Sequence, residues 1–302
     1  MSKVKNKRVI IADLGLLLVA ILWGGGFVAV KDAIVDIAPF YMIAMRFGIS
    51  GLIISLLYYK RIKDTKLRDI RAGILVGLFL FLGFATQTFG ALYTTAGKQA
   101  FLTGTNVVIV PFLTWILYKN KLDIYSAIAS MLCLVGIGFL TLKGDSGMNL
   151  GDILTLACAI FFAAHITLLG YWAKQADLMA LTVTQMLTTA FLALFCAILF
   201  ETPPSQIPRE TYGSMIYIIV LCTLLSFSIQ TVAQKFTSAN HASIILCLES
   251  VFGSIFAVIF HGDIFTPAMI IGCALILLGI ITAETKLGFL AGIRILRKPL
   301  SN

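Results

Sequence analysis

Three ionisable side chains, Glu249, His165 and Arg46, lie within long apolar runs of this 302-residue chain. A charged group at the centre of a membrane-spanning helix costs about 2.5–3.5 kcal/mol on insertion scales, so each is a candidate for function. Glu249 can hold a cation or exchange a proton, His165 can relay protons or hold a carboxylate, and Arg46 can bind an anionic group. Each also has a structural alternative, which is to bond with polar groups of neighbouring helices.

Neutral polar side chains accompany these three groups at helical spacing. The stretch YTTAGKQAFLTGTNVVIVPFLTWILYKNK, residues 93–121, is free of charge in its long central part. Gln99, Thr103 and Asn106 are spaced by four and three residues, so they share one face of a helix. Lipid cannot hydrogen-bond Asn106, whereas a watery cavity or a neighbouring helix can. The stretch therefore predicts a membrane helix whose polar face is turned away from lipid.

Three further side chains complete the set of candidates. Trp23 lies in the middle of the first apolar run, although an anchoring tryptophan belongs at the membrane edge, so it is predicted to pack in the bundle or to form a cavity wall. Gln230 shares a helix face with Thr223 and Ser226, and Gln87 lies in another run. The candidate substrate-binding residues are Trp23, Gln87, Asn106, His165, Gln230 and Glu249, and the candidates for a structural or coupling role are Arg46 and Glu249.

Motifs for other kinds of chemistry are missing from the sequence. It has no H-E-x-x-H metal motif, no G-x-x-x-x-G-K-[ST] phosphate loop and no nucleophile with a base and an orienting group. Its six cysteines lie in apolar runs and form no C-x-x-C pair, which predicts small buried side chains rather than disulfides or metal ligands. We therefore expect no catalytic residue, no metal and no cofactor.

The composition indicates an integral membrane protein. Hydrophobic residues make up 59% of the chain and charged residues only 12%, against about 25% charged residues in a typical soluble domain. The net charge of +9 comes from basic residues in the gaps between apolar runs, which is typical of membrane topology rather than of nucleic-acid binding. The lipid bilayer is therefore an expected partner, and nucleic acid is not.

Ten apolar runs are long enough to be membrane spans, since a spanning helix needs roughly 20 predominantly apolar residues. The predicted spans are 13–30, 39–59, 70–92, 98–118, 123–142, 152–172, 180–200, 212–235, 239–260 and 267–284. The gaps between them are short, and the longest contains three prolines that end any helix there. The sequence therefore predicts an all-α membrane protein with ten transmembrane helices.

The basic residues also predict the orientation of the spans. With both termini in the cytoplasm, eighteen Lys and Arg lie in cytoplasmic segments, four lie outside, and Arg46 lies within a span. We therefore expect a multi-pass protein of the cytoplasmic membrane of a prokaryote, with both termini cytoplasmic. The N-terminal MSKVKNKR and the run after it imitate a signal peptide, but no convincing cleavage site follows, so this run is predicted to be retained as the first span.

The sequence contains a weak internal repeat. YTTAGKQAFLTGTNVVIVPFLTWILYKNKL, from Tyr93, aligns without gaps with FTSANHASIILCLESVFGSIFAVIFHGDIF, from Phe236, at an offset of 143, and Asp13 meets Asp152 at an offset of 139. We expect two five-span units, 1–146 and 147–302, the second inverted and ending in a short basic cytoplasmic tail. Inverted repeats of helices typically enclose a central site near the midplane. Chance similarity between apolar segments is the alternative.

Four segments carry a resemblance to a known family. ILWGGGFVAVK in the first span, MRFGIS in the second, YTTAGKQAFLTGTNVVIVPF into the fourth and LCLESVFGSIFAVIFHGD in the ninth resemble the EamA family of the drug/metabolite transporter superfamily. The resemblance implies ten helices, an inverted five-plus-five repeat, a central cavity and alternating-access movement of small metabolites, often amino acids and frequently outward. The chain departs from the family pattern in two places. Ser250 follows Glu249 where the family often has proline, and Asn120 replaces a frequent acidic residue that the second half keeps as Asp263.

These observations favour a secondary transporter over an enzyme. Its expected substrate is a small metabolite, an amino acid or related amine first of all, with export taken from the family; lipophilic cations or drugs, and nucleoside- or vitamin-type metabolites, are the alternatives. Protons, exchanged at Glu249, are the candidate coupling ion, and the protein is expected to be a monomer or a homodimer. An intramembrane enzyme acting on lipid-linked substrates lacks a catalytic constellation. A sensor or assembly partner without flux would predict a bulky apolar interior rather than polar helix faces.

Overall fold

The computed structural model describes residues 2–62, 65–119, 124–141, 148–204, 206–261 and 266–285, and within these ranges all regular secondary structure is helical. The helices of the first half are α1 (Ser2–Ala33), α2 (Pro39–Leu57), α3 (Tyr59–Ile62), α4 (Leu67–Tyr93), α5 (Ala96–Gly104), α6 (Asn106–Tyr118) and α7 (Ile124–Thr141). The helices of the second half are α8 (Leu150–Trp172), α9 (Leu178–Phe200), α10 (Arg209–Ile216), a π-helix (Tyr217–Leu225), α11 (Ser226–Ala233), α12 (Ala239–Leu246), α13 (Leu248–His261) and α14 (Pro267–Thr285).

Eight helical segments in the described residues are long and apolar enough to cross a membrane. They are Lys7–Ala33, Pro39–Leu57, Leu67–Tyr93, Ala96–Tyr118, Leu150–Trp172, Leu178–Phe200, Arg209–Ala233 and Ala239–Phe260. The other two predicted spans, 123–142 and 267–284, correspond to the shorter apolar helices Ile124–Phe139 and Ile270–Thr282. The prediction of an all-α membrane protein is confirmed, and it follows from the need to satisfy every backbone polar group in lipid. The inverted orientation of the second half stays a prediction.

Several predicted boundaries are corrected by the structure. The first helix begins at Ser2 rather than at residue 13, so the basic N-terminal segment is part of α1. Local signals explain other helix starts: α2 has proline in its first turn, and the side chain of Asp177 caps α9. Asn120 and Asp263, and the basic tail after residue 285, lie outside the described residues.

Two spans predicted to be continuous are interrupted at their centres. The fourth breaks at Thr105, between α5 and α6, and the ninth breaks at Cys247, between α12 and α13. These breaks are 142 residues apart, within one residue of the offset at which the sequence repeats. The two broken spans meet, because Ser250 Oγ donates to the carbonyl of Ala100 at 2.8 Å. Small residues at this crossing let the two backbones approach closely.

The eighth span is also irregular, because its middle third is a π-helix. Within it Thr223 Oγ1 donates to the carbonyl of Ile218, five residues earlier, at 2.8 Å. Three consecutive glycines of α1 lie against this region and against α13: a Cβ on Gly26 would lie 2.9 Å from Cys222 Sγ, and one on Gly24 would lie 2.6 Å from Phe252 Cβ. Glycine therefore allows α1 to pack closely at the level of Trp23. Irregular backbone at membrane depth is tolerated where protein or a cavity surrounds it.

Candidate functional site

A central cavity lies where the irregular spans meet, with about 660 Å³ of empty space in and around it. All seven residues singled out from the sequence line it: Trp23, Arg46, Gln87, Asn106, His165, Gln230 and Glu249. They come from α1, α2, α4, α6, α8, α11 and α13. The structure therefore brings together side chains that are more than 200 residues apart in the sequence.

Opposite charges face this cavity from different helices. Arg46 is 3% exposed and Glu249 is 5% exposed. Arg46 Nε donates to Thr223 Oγ1 at 2.9 Å, and its guanidinium carbon lies 4.4 Å from the centre of the Phe84 ring. Arg46 and Glu249 form no salt bridge with each other or with any other group in the described part of the chain. A buried basic and a buried acidic side chain without ionic partners leave two positions that could pair with charged groups of a ligand.

His165 is held by a chain of neutral hydrogen bonds. Its Nε2 donates to Gln185 Oε1 at 3.0 Å, and Gln185 Nε2 donates to Thr231 Oγ1 at 3.1 Å. Both His165 and Gln185 are buried. The ring orientation is thus set by an uncharged amide, and the ring lies edge-on to Phe227 with 5.9 Å between centroids.

Trp23 forms part of the cavity wall and is fixed by its indole nitrogen. Its Nε1 donates to the carbonyl of Cys222, in the π-helix, at 2.9 Å, and its ring centroid lies 5.2 Å from that of Phe227. Trp23 therefore ties α1 to the irregular eighth span. Both sequence-based expectations for it, packing in the bundle and lining a cavity, describe its position.

Phenylalanines were not among the candidates from the sequence, but they form much of the cavity wall, and Phe162 beside His165 is one of them. The cavity is also lined by Phe27, Phe84 and Phe227. Each of these lies three or four residues from a residue that was singled out: Phe27 follows Trp23, Phe84 precedes Gln87, and Phe227 precedes Gln230. Residues at this spacing share a helix face, so the signal existed, although phenylalanine facing lipid gives the same pattern.

The neutral amides of the cavity fall into two groups. Gln87 Nε2 donates to Thr103 Oγ1 at 3.2 Å, and Gln99 Nε2 donates to the carbonyl of Gln87 at 2.5 Å, so these two join the third span to the fourth. Gln230 and Asn106 differ from them. Both amide atoms of Gln230, and Oδ1 of Asn106, are buried without a hydrogen-bond partner among the described residues.

An ion pair connects the starts of the fourth and sixth spans. Lys98 Nζ lies 2.5 Å from Asp152 Oδ2, and Asp152 is 1% exposed. Thr94 Oγ1 donates to Asp152 Oδ1 at 3.0 Å, and Lys31 Nζ donates to the carbonyl of Thr94 at 2.9 Å. The Lys98 ammonium is therefore bound by a buried carboxylate.

A second ion pair joins corresponding positions of the ninth and first spans. His241 Nε2 lies 3.0 Å from Asp13 Oδ1. His241 follows Lys98 by 143 residues and Asp152 follows Asp13 by 139, the two offsets of the sequence repeat. The local geometry also corresponds: the backbone N–H of Lys98 donates to Thr95 Oγ1 at 3.3 Å, and that of His241 donates to Ser238 Oγ at 3.2 Å. Each cation thus lies in the capped first turn of a broken span.

Comparison with known proteins identifies similar chains. The model of the EamA-like transporter family matches residues 10–142 and again residues 149–284. An uncharacterized transporter of Archaeoglobus fulgidus is 34% identical over 275 residues, which cover 91% of this chain and 86% of the relative. The uncharacterized transporter YoaV of Bacillus subtilis is 22% identical over 275 residues, covering 88% of this chain and 94% of the relative.

A solved crystal structure of another protein has a similar fold. Its TM-score with this chain is 0.75 at 18% sequence identity, and the match covers 90% of this chain and 96% of the other.

Proposed function

The chain belongs to the EamA-like transporter family and is a multi-pass membrane transporter, and from this premise we propose that it carries a small zwitterion of the amino-acid class by secondary active transport. The cavity is the binding site in this proposal, and the cytoplasmic membrane is the location. The direction proposed is export, as the sequence resemblance implies. Family membership argues against the enzyme alternative, because the relatives named above are also transporters.

The observation that carries this proposal is the presence of one basic and one acidic side chain in the same cavity. Arg46 and Glu249 both line the cavity and make no salt bridge within the described ranges. A ligand with a carboxylate and an ammonium group can match both, with the carboxylate at Arg46 and the ammonium at Glu249. A lipophilic cation would match Glu249 and the aromatic walls but would leave Arg46 buried beside a second positive charge. The charges therefore favour a zwitterion over a cation.

The aromatic walls add to the proposed site. Trp23 and Phe227 are in ring contact, and both line the cavity with Glu249. Aromatic faces attract ammonium groups, and the attraction is larger where water is excluded. In this arrangement the substrate's apolar part contacts rings while its two charged ends contact side chains of different spans.

For the mechanism we propose alternating access, in which the two ion pairs separate in turn. The units are residues 1–146 and 147–302, each with one broken span that contributes to the cavity. The predicted topology places the Lys98–Asp152 pair on the outer side and the His241–Asp13 pair on the cytoplasmic side. Each pair joins a broken span of one unit to the first span of the other unit, which supports a role for both pairs as contacts between the units. Proton exchange at Glu249 is the coupling step that we propose.

The test is counterflow of labelled amino acids into proteoliposomes of the purified full chain, together with thermal stabilisation of the protein by the same ligands. A ligand at a hundred times its Kd stabilises the native state by about 2.7 kcal/mol. We expect saturable counterflow and stabilisation by zwitterions, with both lost in Glu249→Gln. Flux that never saturates, or stabilisation by lipophilic cations alone, would contradict the proposal.

The matched control is Glu201→Gln. Glu201 is a carboxylate outside the cavity that accepts hydrogen bonds from the backbone N–H groups of Phe40 and Tyr41 at 2.9 and 3.0 Å. Its replacement removes one charge of the same type without changing the site. Ligand affinity is therefore expected to stay unchanged in this variant, whatever happens to its stability.

A further inference from the structure

Gln230 is a completely buried side chain whose amide is unused within the protein. Its side chain is 0% exposed, and neither its Nε2 nor its Oε1 has a hydrogen-bond partner in the part of the chain that the structure describes. Buried polar atoms in native proteins are nearly always paired, so an unpaired amide requires an explanation. Gln230 lines the cavity that we propose to bind substrate. An amide that has no partner in the protein but faces a binding site is placed to bond a ligand.

Other buried glutamines show that this is a local feature. Gln185 is also 0% exposed, but its Oε1 accepts from His165 and its Nε2 donates to Thr231. Gln234 Nε2 donates to the carbonyl of Ile166 at 2.9 Å. Gln185 and Gln234 therefore each have at least one amide atom that is hydrogen-bonded, whereas within the described ranges neither amide atom of Gln230 has a partner.

Asn106 supplies a second unpaired atom in the same cavity. Its Oδ1 is buried and has no partner among the residues described, and the side chain is 4% exposed. Asn106 stands at the break of the fourth span, whereas Gln230 belongs to the eighth. Two amides from different halves of the molecule thus present both donors and acceptors to one cavity.

The chemistry of an amide limits what it can bind. A primary amide offers two N–H donors and a carbonyl acceptor, and it is neutral. An ammonium group has no acceptor and a carboxylate has no donor, so each could satisfy only part of such a pair. A carboxamide or a hydroxyl group both donates and accepts. The charged ends of a zwitterion are matched by Arg46 and Glu249, which leaves the amides for a third group.

We propose that Gln230 and Asn106 select a zwitterionic substrate whose side chain carries a neutral group that both donates and accepts hydrogen bonds, a carboxamide or a hydroxyl. This inference rests on the proposed function and specifies its substrate class. A site built to hydrogen-bond a substrate group discriminates strongly against an analogue that lacks it, because the site's own polar atoms then stay unpaired.

The experiment compares substrates of matched size in the same proteoliposomes. Asparagine is compared with leucine, glutamine with methionine, and serine with alanine, each as a competitor of counterflow and as a thermal stabiliser. We expect the polar member of at least one pair to compete at least about tenfold more strongly, since one hydrogen bond in a buried site is worth about that factor. The asparagine and serine arms then distinguish a carboxamide from a hydroxyl.

The decisive variant is Gln230→Leu, with Gln234→Leu as its control, because Gln234 is equally buried but does not line the cavity. Replacing the unpaired amide is expected to reduce the polar-to-apolar preference to about one while the protein keeps or gains thermal stability. Replacing Gln234, whose Nε2 donates to the carbonyl of Ile166, should lower stability and leave the preference unchanged. Asn106→Leu provides an independent variant that should also reduce the preference.

The outcomes separate the two proposals. If zwitterions are transported but leucine and methionine compete as well as their polar counterparts, the amide inference is overturned and the zwitterion proposal stands. An unchanged preference in Gln230→Leu also overturns the inference. If no zwitterion of the panel stabilises the protein or exchanges, the proposed function fails, and the amide inference fails with it.

Discussion

The two ion pairs at opposite ends of the cavity occupy corresponding positions but are held differently. In the Lys98–Asp152 pair the carboxylate is 1% exposed, and in the His241–Asp13 pair the side chains are 21% and 24% exposed. Asp152 also accepts hydrogen bonds from Thr94 Oγ1 and from a backbone N–H. A partly exposed pair contributes much less than one whose carboxylate is buried and bonded by several donors.

The basic side chains differ as well as their surroundings. Lysine contributes a compact ammonium group, whereas the imidazole of His241 forms an ion pair with Asp13 only when it is protonated. Corresponding positions therefore carry one strong contact and one weaker contact. A structural correspondence between two halves therefore does not make the two ends of a cavity equally difficult to open.

The largest effect is expected from Asp152→Asn. The change removes the charge that binds the Lys98 ammonium and replaces one carboxylate oxygen with an amide nitrogen of similar size. We expect a loss of about 2–3 kcal/mol of unfolding free energy, below the roughly 3–5 kcal/mol found for fully buried pairs, because Lys98 can regain water. Thermal unfolding of the purified protein measures this.

The control for this variant is Asp177→Asn. Asp177 caps α9 by accepting from the backbone N–H groups of Met179 and Ala180 at 3.0 and 2.9 Å. Asparagine caps helices about as well as aspartate, so little stability should be lost. Equal destabilisation by both substitutions would show that the ion pair at Asp152 adds nothing special.

A smaller effect is expected from Asp13→Asn at the other end. The pair is partly exposed, so its loss should destabilise the protein by about 0.2–1 kcal/mol. The same unfolding measurement gives the comparison directly. If Asp13→Asn proves as destabilising as Asp152→Asn, the difference between the two ends does not exist.

The smallest effect is expected from His241→Lys, which gives the second pair the cation of the first. A permanent charge should strengthen the contact with Asp13 by no more than about 1 kcal/mol. Under the proposed mechanism the exchange rate would then fall by up to about fivefold, with ligand affinity unchanged. Counterflow rates and thermal ligand titrations separate the two quantities. An unchanged or faster rate would argue against this pair as a closing contact.

The cavity residues could be predicted from the sequence because polar groups in apolar runs have few acceptable positions. Glu249, His165 and Asn106 cannot face lipid cheaply, so a polar interior is the place left for them. The same argument covers Gln230 and Arg46. Whether any of these residues binds substrate is a separate question, and there the assignment stays a prediction.

Other features had no signal of this kind. The fourth span breaks at Thr105 and not at Pro111, which lies inside α6, and the ninth breaks at Cys247, where no proline or glycine marks the position. Gly104 directly precedes the break at Thr105, whereas the break at Cys247 has no such residue beside it. The partner of Lys98 was also missed, because Asp152 is 54 residues away, and only the packed helices bring the two together.

The charge balance of the cavity has an electrical consequence. With both side chains ionised, Arg46 and Glu249 cancel, and a zwitterion adds no net charge when it binds between them. Each elementary charge that crosses a membrane gains or loses about 2.3 kcal/mol per 100 mV of potential, so a cation could be driven by the voltage alone. The proposed substrate could not be driven in this way. The movement of the zwitterion alone would carry no current, so any current recorded during transport would measure the charge of the ions transported with it.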